Sequence, residues 1–242
     1  MSERGALRLL PKFKSQTLRR DQVIFPNGEV PEFWVHVVAG MVGAMAPQSR
    51  KGSCPVSIYG EGAWLGEVPM AQATTALLEY VCLSDVRILL LPLNEVQEAL
   101  ATEPDFSNHL LKVMAWRIQH QAEMLAHLRS SGPPLRVVMG LALFVELLCK
   151  GASHMPADNF DGDFEIQLTQ TLLATMCGVS RGVFSECAKQ LESSGWITIN
   201  YSSLRILQLQ RWVGFLNYHR ENRLMHTNPS IFEILSFMQA SI

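Results

Sequence analysis

The stretch LTQTLLATMCGVSRGVFSECAKQL, residues 168–191, narrows the range of folds open to this chain more than any other. It reads as two short helices broken at Gly178. The Thr169 hydroxyl can cap the first helix, and Ala174 is small where the two helices must cross. Gly178 supplies a positive φ at low cost for the sharp turn. Leu173, Cys177, Val179, Phe184 and Cys187 are apolar at the positions that close a small core between the helices. Ser180 and Arg181 open the second helix, and Ser185 and Lys189 follow on its outward face, which therefore offers donors to base edges and phosphates. GWITINYSSLRILQL comes next, two short strands about a Tyr201-Ser202-Ser203 turn. Two crossed helices followed by a strand pair spell a winged helix-turn-helix, a reader of double-stranded DNA. From 168 to 212 the charged residues are Arg181, Lys189, Arg205 and Arg211 against Glu186 and Glu192. This local basic balance sits within an overall net charge of −2, an average that can hide a basic face.

The chain as a whole has 48% hydrophobic and 17% charged residues over 242 positions, enough apolar material for true cores and too little charge for disorder. No apolar run approaches the ~20 residues that span a bilayer, and the N-terminal MSERGALRLLPKFKSQTLRR has no signal-peptide core. The expectation is a cytoplasmic protein with no membrane contact. Cys54, Cys82, Cys149, Cys177 and Cys187 form no CxxC pair, so reduced, buried thiols are expected, without a disulfide framework or a metal site. No GxSxG, HExxH, P-loop or dinucleotide fingerprint occurs, and no enzyme is expected.

Ahead of the helix-turn-helix the patterning changes once. Residues 20–92 alternate short apolar runs (QVIF, FWVHVVAGMVGAM, PVSIYGEG, EYVCLSDVRILLLP) with turn signals, the mark of a β-sandwich or barrel. LNEVQEALATEPDF reads as a short helix and a turn. From Pro104, Leu111, Met114, Ile118, Gln121, Leu125 and Leu128 recur at spacings of three and four, a coiled-coil seam suited to a second copy of the chain. Leu110, Val113 and Trp116, off that seam, suit a second contact on the β-block. Gly132-Pro133-Pro134 stops the helix. LRVVMGLALFVELLCK is another apolar helix, ASHMPADNFDGD a polar loop and FEIQL a short strand; the last thirty residues hold two apolar-faced segments around HTNPS. The expected fold is α+β: a β-roll, jelly-roll-like, over 1–103; a dimerisation helix over 104–131; a winged helix-turn-helix over 132–211; and a helical extension over 212–242.

This order of parts resembles the Crp/Fnr family of bacterial transcription regulators. The most specific residues are GVSRGVFSECAKQLESSGWI and the glycine-rich GEGAWLGE, in which Gly60, Gly62 and Gly66 are turn residues. The resemblance implies a homodimer on an inverted-repeat operator, its two recognition helices ~34 Å apart, with RNA polymerase as a further partner. It also implies that Thr169, Gln170 and Ser180 contact phosphates, that Arg181 reads a base, and that Lys189 contacts the backbone. Family members usually carry Glu directly after this Arg, and some carry Arg four residues after that Glu. This chain has Gly182 and Glu186 there, so a different operator is expected.

Cyclic-AMP-binding members need an Arg-Ser pair shortly after Gly-Glu, since a phosphate diester calls for a guanidinium and a hydroxyl. Here no arginine lies between Glu67 and Arg87, and the pair falls near Ala76-Leu77, so control by cyclic AMP is not expected and the effector is left unknown. An iron-sulfur cluster is disfavoured because no cysteine precedes Cys54. No cofactor is expected. The alternative is a haem or other small-molecule sensor with secondary DNA binding, for which His36, His109, His120 and His127 are the imidazoles on offer.

Overall fold

The computed structural model describes residues 8–49, 52–72, 74–151, 162–200, 203–222 and 228–240. The chain divides into two compact units at Gln121/Ala122.

The first unit is built on two antiparallel four-stranded sheets. One orders its strands β1 (Lys14–Leu18), β8 (Val86–Pro92), β3 (Phe33–Ala39) and β6 (Trp64–Leu65); the other orders β2 (Val23–Phe25), β7 (Glu79–Cys82), β4 (Val42–Ser49) and β5 (Gly52–Tyr59). Alternation explains their packing: in β8, Val86 and Ile88 are buried while Arg87 is exposed, the period-two rule of a strand with one face on a core. Phe25, Val35, Val37, Val42, Leu65, Cys82, Val86 and Ile88 form that core. β1 begins before the apolar patterning does, because KSQTL carries no alternation of its own; it is held by the register Lys14↔Leu90 to Leu18↔Val86.

Helices α1 (Glu67–Gln72) and α2 (Leu93–Thr102) lead to the long helix α3 (Pro104–Ser130). Phe106 and Leu110 of α3 are buried with Leu9, Trp34, Met70, Leu91 and Val96, and Met114 packs on the same cluster. Trp34 stacks on Trp64 at 3.9 Å between centroids and meets Phe106 edge-on. The off-seam residue Leu110 thus does what its position suggested.

The second unit is organised around α4 (Pro133–Gly151). Val137, Val138, Met139, Leu141, Leu143, Phe144 and Val145 are all buried, as expected for a helix apolar on every side. It is packed by α7 (Leu209–Asn222), by α8 (Ile231–Ala240), and by the helix-turn-helix itself. Gly140 explains how closely: a Cβ there would lie 2.7 Å from Cys177 Sγ. Trp196 and Trp212 are fully buried edge to face at 5.4 Å, so the helix that begins at Leu209 is part of the core.

α4 carries one carboxylate in its apolar run, Glu146, which is buried. Arg220 of α7 answers it: Nη1 and Nη2 donate to Glu146 at 2.9 and 2.8 Å, and Nε and Nη2 to Glu123 of α3 at 3.1 and 2.6 Å. Burial pulls the guanidinium pKa down, but the bonds and charges of the two carboxylates outweigh it and hold the pKa above its ordinary value. The arginine ties the end of α3 to α4 across the Gly132 break.

Candidate nucleic-acid interface

The helix-turn-helix comprises α5 (Gln170–Met176) and α6 (Arg181–Ser193). Thr169 caps α5, its Oγ1 accepting from Leu172 N at 3.3 Å. The turn closes through Gly178 N to Thr175 O at 3.1 Å and Val179 N to Ala174 O at 3.0 Å. This is the Schellman pairing that a left-handed residue completes, and Gly178 has φ +61°. A Cβ there would also come within 2.9 Å of Leu128 Cδ2. Ser180 then caps α6, its Oγ accepting from Val183 N at 3.3 Å. A capping hydroxyl accepts with a lone pair and keeps its proton, so Thr169 and Ser180 still have a donor for a phosphate oxygen.

Leu173, Ala174, Cys177, Phe184, Cys187, Ala188 and Leu191 are buried and hold the two helices together. Burial, with a neighbouring thiol as a lesser cause, pushes the Cys177 pKa up to about 12, and burial, helped by Glu186, pushes that of Cys187 up to about 11. Both are therefore protonated packing groups, not thiolate ligands. The Cys54 side chain lies outside the described residues. The opposite side of α6 is open: Arg181, Gly182, Glu186 and Lys189 are exposed and Ser185 is half-buried. Gln170 is half-buried at the first position of α5.

β10 (Ile197–Ile199) and β11 (Leu204–Ile206) form the antiparallel wing, with Asn200 N donating to Ser203 O at 2.9 Å at its turn. Tyr201 and Ser202, named above in that turn, lie outside the described residues. Sequence reasoning did not foresee that β9 (Phe164–Ile166) is the third strand of this sheet, pairing Arg205 with Glu165. It also passed over Arg136, which donates to Ser131 O at 2.8 Å and Gly178 O at 3.0 Å and so joins the interhelical break to the turn. A lone arginine opening an apolar helix was the one available signal.

Of the residues expected to form a seam, Leu111, Ile118 and Leu125 are 66%, 69% and 48% exposed, one heptad apart, and Gln121 is exposed as well. Met114 and Leu128 are partly covered within their own units, by the Trp34 cluster and by the Gly178 turn respectively. In the β-roll, Ala76 is buried with its amide bonded to Glu29 O at 2.7 Å, and Leu77 is 79% exposed. Glu67 is buried and ion-paired with Arg117 of α3, whose Nη2 also donates to Trp64 O at 2.8 Å. Burial lowers the Arg117 pKa, and the Glu67 charge more than restores it. Arg117 further lies 5.2 Å from the Tyr59 ring centroid.

The histidines weighed for haem lie in varied settings. His36 packs 4.7 Å from the Trp64 ring, and burial, opposed by Glu61, lowers its pKa. His120 is buried beside Trp116, while His127 Nδ1 lies 2.9 Å from Ser131 Oγ. His109 is half-buried on α3. Among the described residues no three His, Cys, Asp or Glu side chains group as a metal site, and no helix is long and apolar enough to cross a membrane.

Comparison with known proteins agrees with this geometry. Residues 15–103 match the cyclic nucleotide-binding domain and residues 141–211 the Crp-like helix-turn-helix domain, together more than half of the chain. A CRP-like cAMP-activated global transcriptional regulator of Mycobacterium tuberculosis is 24% identical over 194 residues, 79% of this chain and 83% of that protein. The fold is similar to that of FixK2 from Bradyrhizobium japonicum, with a TM-score of 0.68 at 16% identity over 83% of this chain and 96% of the other. It is also similar to TTHA1359, a CRP/FNR-family transcriptional regulator from Thermus thermophilus, with a TM-score of 0.60 at 17% identity over 83% and 96%. With a β-roll, a long helix and a winged helix-turn-helix in this order, and both domain models matched, the chain belongs to the Crp/Fnr family of DNA-binding transcription regulators.

Proposed function

We propose that this regulator acts as a homodimer on an inverted-repeat operator, docking α6 in the major groove with Arg181 as a base reader. Thr169, Gln170, Ser180 and Lys189 serve as backbone contacts, and Ser185 lies on the same face. The observation that carries this reading is the outward face of α6, where Arg181 and Lys189 stand exposed without an ion pair or hydrogen bond to any described residue. Cations held to no described residue suit an anionic partner. The fork of Arg181 matches guanine O6 and N7, whereas Lys189 is a point charge for a phosphate.

The two residues separate in a salt series on an operator selected from random DNA. Arg181→Ala should cost ~1–3 kcal/mol per half-site and relax preference at one base pair. Lys189→Ala should weaken all sequences alike and reduce the salt slope by about one unit per contact. If Arg181→Ala weakens every sequence equally, Arg181 is a phosphate clamp and not a reader.

The β-roll, in this reading, is not switched by cyclic AMP. Ala76-Leu77 cannot hold a phosphate, and Glu67 is already engaged by Arg117, so a ligand hydroxyl would have to displace a buried ion pair. Calorimetry with cyclic AMP and cyclic GMP should register no binding at micromolar concentrations; saturable heat from either would overturn this part of the reading.

A further inference from the structure

The recognition helix carries a glycine that its own fold does not require. Gly182 lies in the first turn of α6, where glycine costs helix stability relative to alanine. Its φ is not in the left-handed region, and a Cβ added to it would meet only Ser180 Oγ, at an ordinary 3.9 Å. Phe184, Cys187, Ala188 and Leu191 mark the buried side of the helix; at about 100° per residue Gly182, Lys189 and Glu186 fall on the opposite side. The middle of the outward face is therefore bare in the turn that meets a ligand first. Glu186 stands about 40° round from Gly182 and one turn further along. Helical side chains lean toward the N-terminus and cover the surface one turn back, so Glu186 can reach over Gly182 with no side chain in its way. Like Arg181, it is exposed and bonded to no described residue. A carboxylate on this face repels phosphate but accepts from the amine of cytosine.

We infer that Glu186 is a second base-reading residue, accepting from a cytosine amine within about two base pairs of the guanine held by Arg181 (five residues of helix rise ~7.5 Å, against ~3.4 Å per base step), and that Gly182 is the gap through which it reaches. This rests on the DNA-reading function proposed above and adds a specificity determinant to it.

Selection from a random DNA pool with the full-length protein tests it. The wild-type pool should enrich a cytosine at a fixed step from the guanine whose preference Arg181→Ala relaxes. Glu186→Ala should lower the preference for that cytosine roughly 5- to 100-fold per half-site, while affinity for random DNA holds or rises because a negative charge has left the interface. Glu186→Gln should turn the preference toward adenine, which an amide reads bidentately; no purely structural role produces that change. Gly182→Leu, which fills the gap and favours the helix, should blunt the cytosine preference and spare the guanine. An enriched operator whose profile is the same in wild type and Glu186→Ala overturns this inference alone, and so does a uniform loss on all sequences. A pool that enriches nothing overturns the DNA-reading proposal and this inference with it.

Discussion

Ile118→Asp is expected to sediment as a monomer and to lose most of its operator affinity. Ile118 is exposed on α3, with Leu111 and Leu125 one heptad on either side. A run of exposed large apolar side chains at seven-residue spacing is what one partner of a two-stranded seam presents. In a two-fold pair the substituted aspartates would face each other across an apolar contact and be left without cations, at a cost of several kcal/mol. DNA binding should suffer because, in the proposed dimer, two linked recognition helices would engage the second half-site intramolecularly. Losing that linkage weakens an operator contact by ~10²–10⁴ with no change in the reading residues. Leu125→Asp should behave alike, and Leu77→Asp, on an exposed residue outside the seam, should not. A dimer surviving both seam substitutions in sedimentation equilibrium would falsify the assignment of α3 as the dimer helix.

Arg220→Ala is expected to unfold the second unit about 3 kcal/mol more easily. Arg220 bonds both Glu123 and Glu146, and the Glu146 side chain is 2% exposed. Removing one partner of a buried pair costs ~3–5 kcal/mol because the other charge stays buried without its cation. The lower figure applies since the arginine itself is a third exposed. Urea denaturation followed through Trp196 and Trp212 fluorescence measures the loss. The double variant Arg220→Met with Glu146→Gln should recover most of it, since the buried charge at Glu146 has gone as well. A single variant within ~0.5 kcal/mol of the parent, the range of an ordinary surface substitution, shows that solvent screens the cluster.

The helix-turn-helix was legible before any coordinates because its constraints are local. Two caps, a positive-φ glycine and a small residue at the crossing are each set by neighbours a few positions away. The amphipathic split of α6 follows from a period of 3.6, and the β-roll core from a period of 2. What the sequence withheld is long-range. KSQTL has no pattern of its own and becomes a strand only because the edge of β8 is there to pair with. FEI joins the wing across 38 residues of chain, from Glu165 to Ser203, where the serine hydroxyl donates to the carboxylate at 2.6 Å.

Composition and spacing by themselves determined the α+β class, the order of the parts and the helix-turn-helix, and the family resemblance added that an Arg-Ser pair is missing after Gly66-Glu67. Each of these depends on residue type at short separation. Tertiary structure decided what the charges inside the protein do. Glu67 faces Arg117, and Glu146 and Glu123 share Arg220. It likewise decided which seam residues stay exposed and which are covered at Trp34 or the Gly178 turn. Pairing of a buried charge depends on which distant helix passes within hydrogen-bond reach, and no periodicity along the chain encodes that distance.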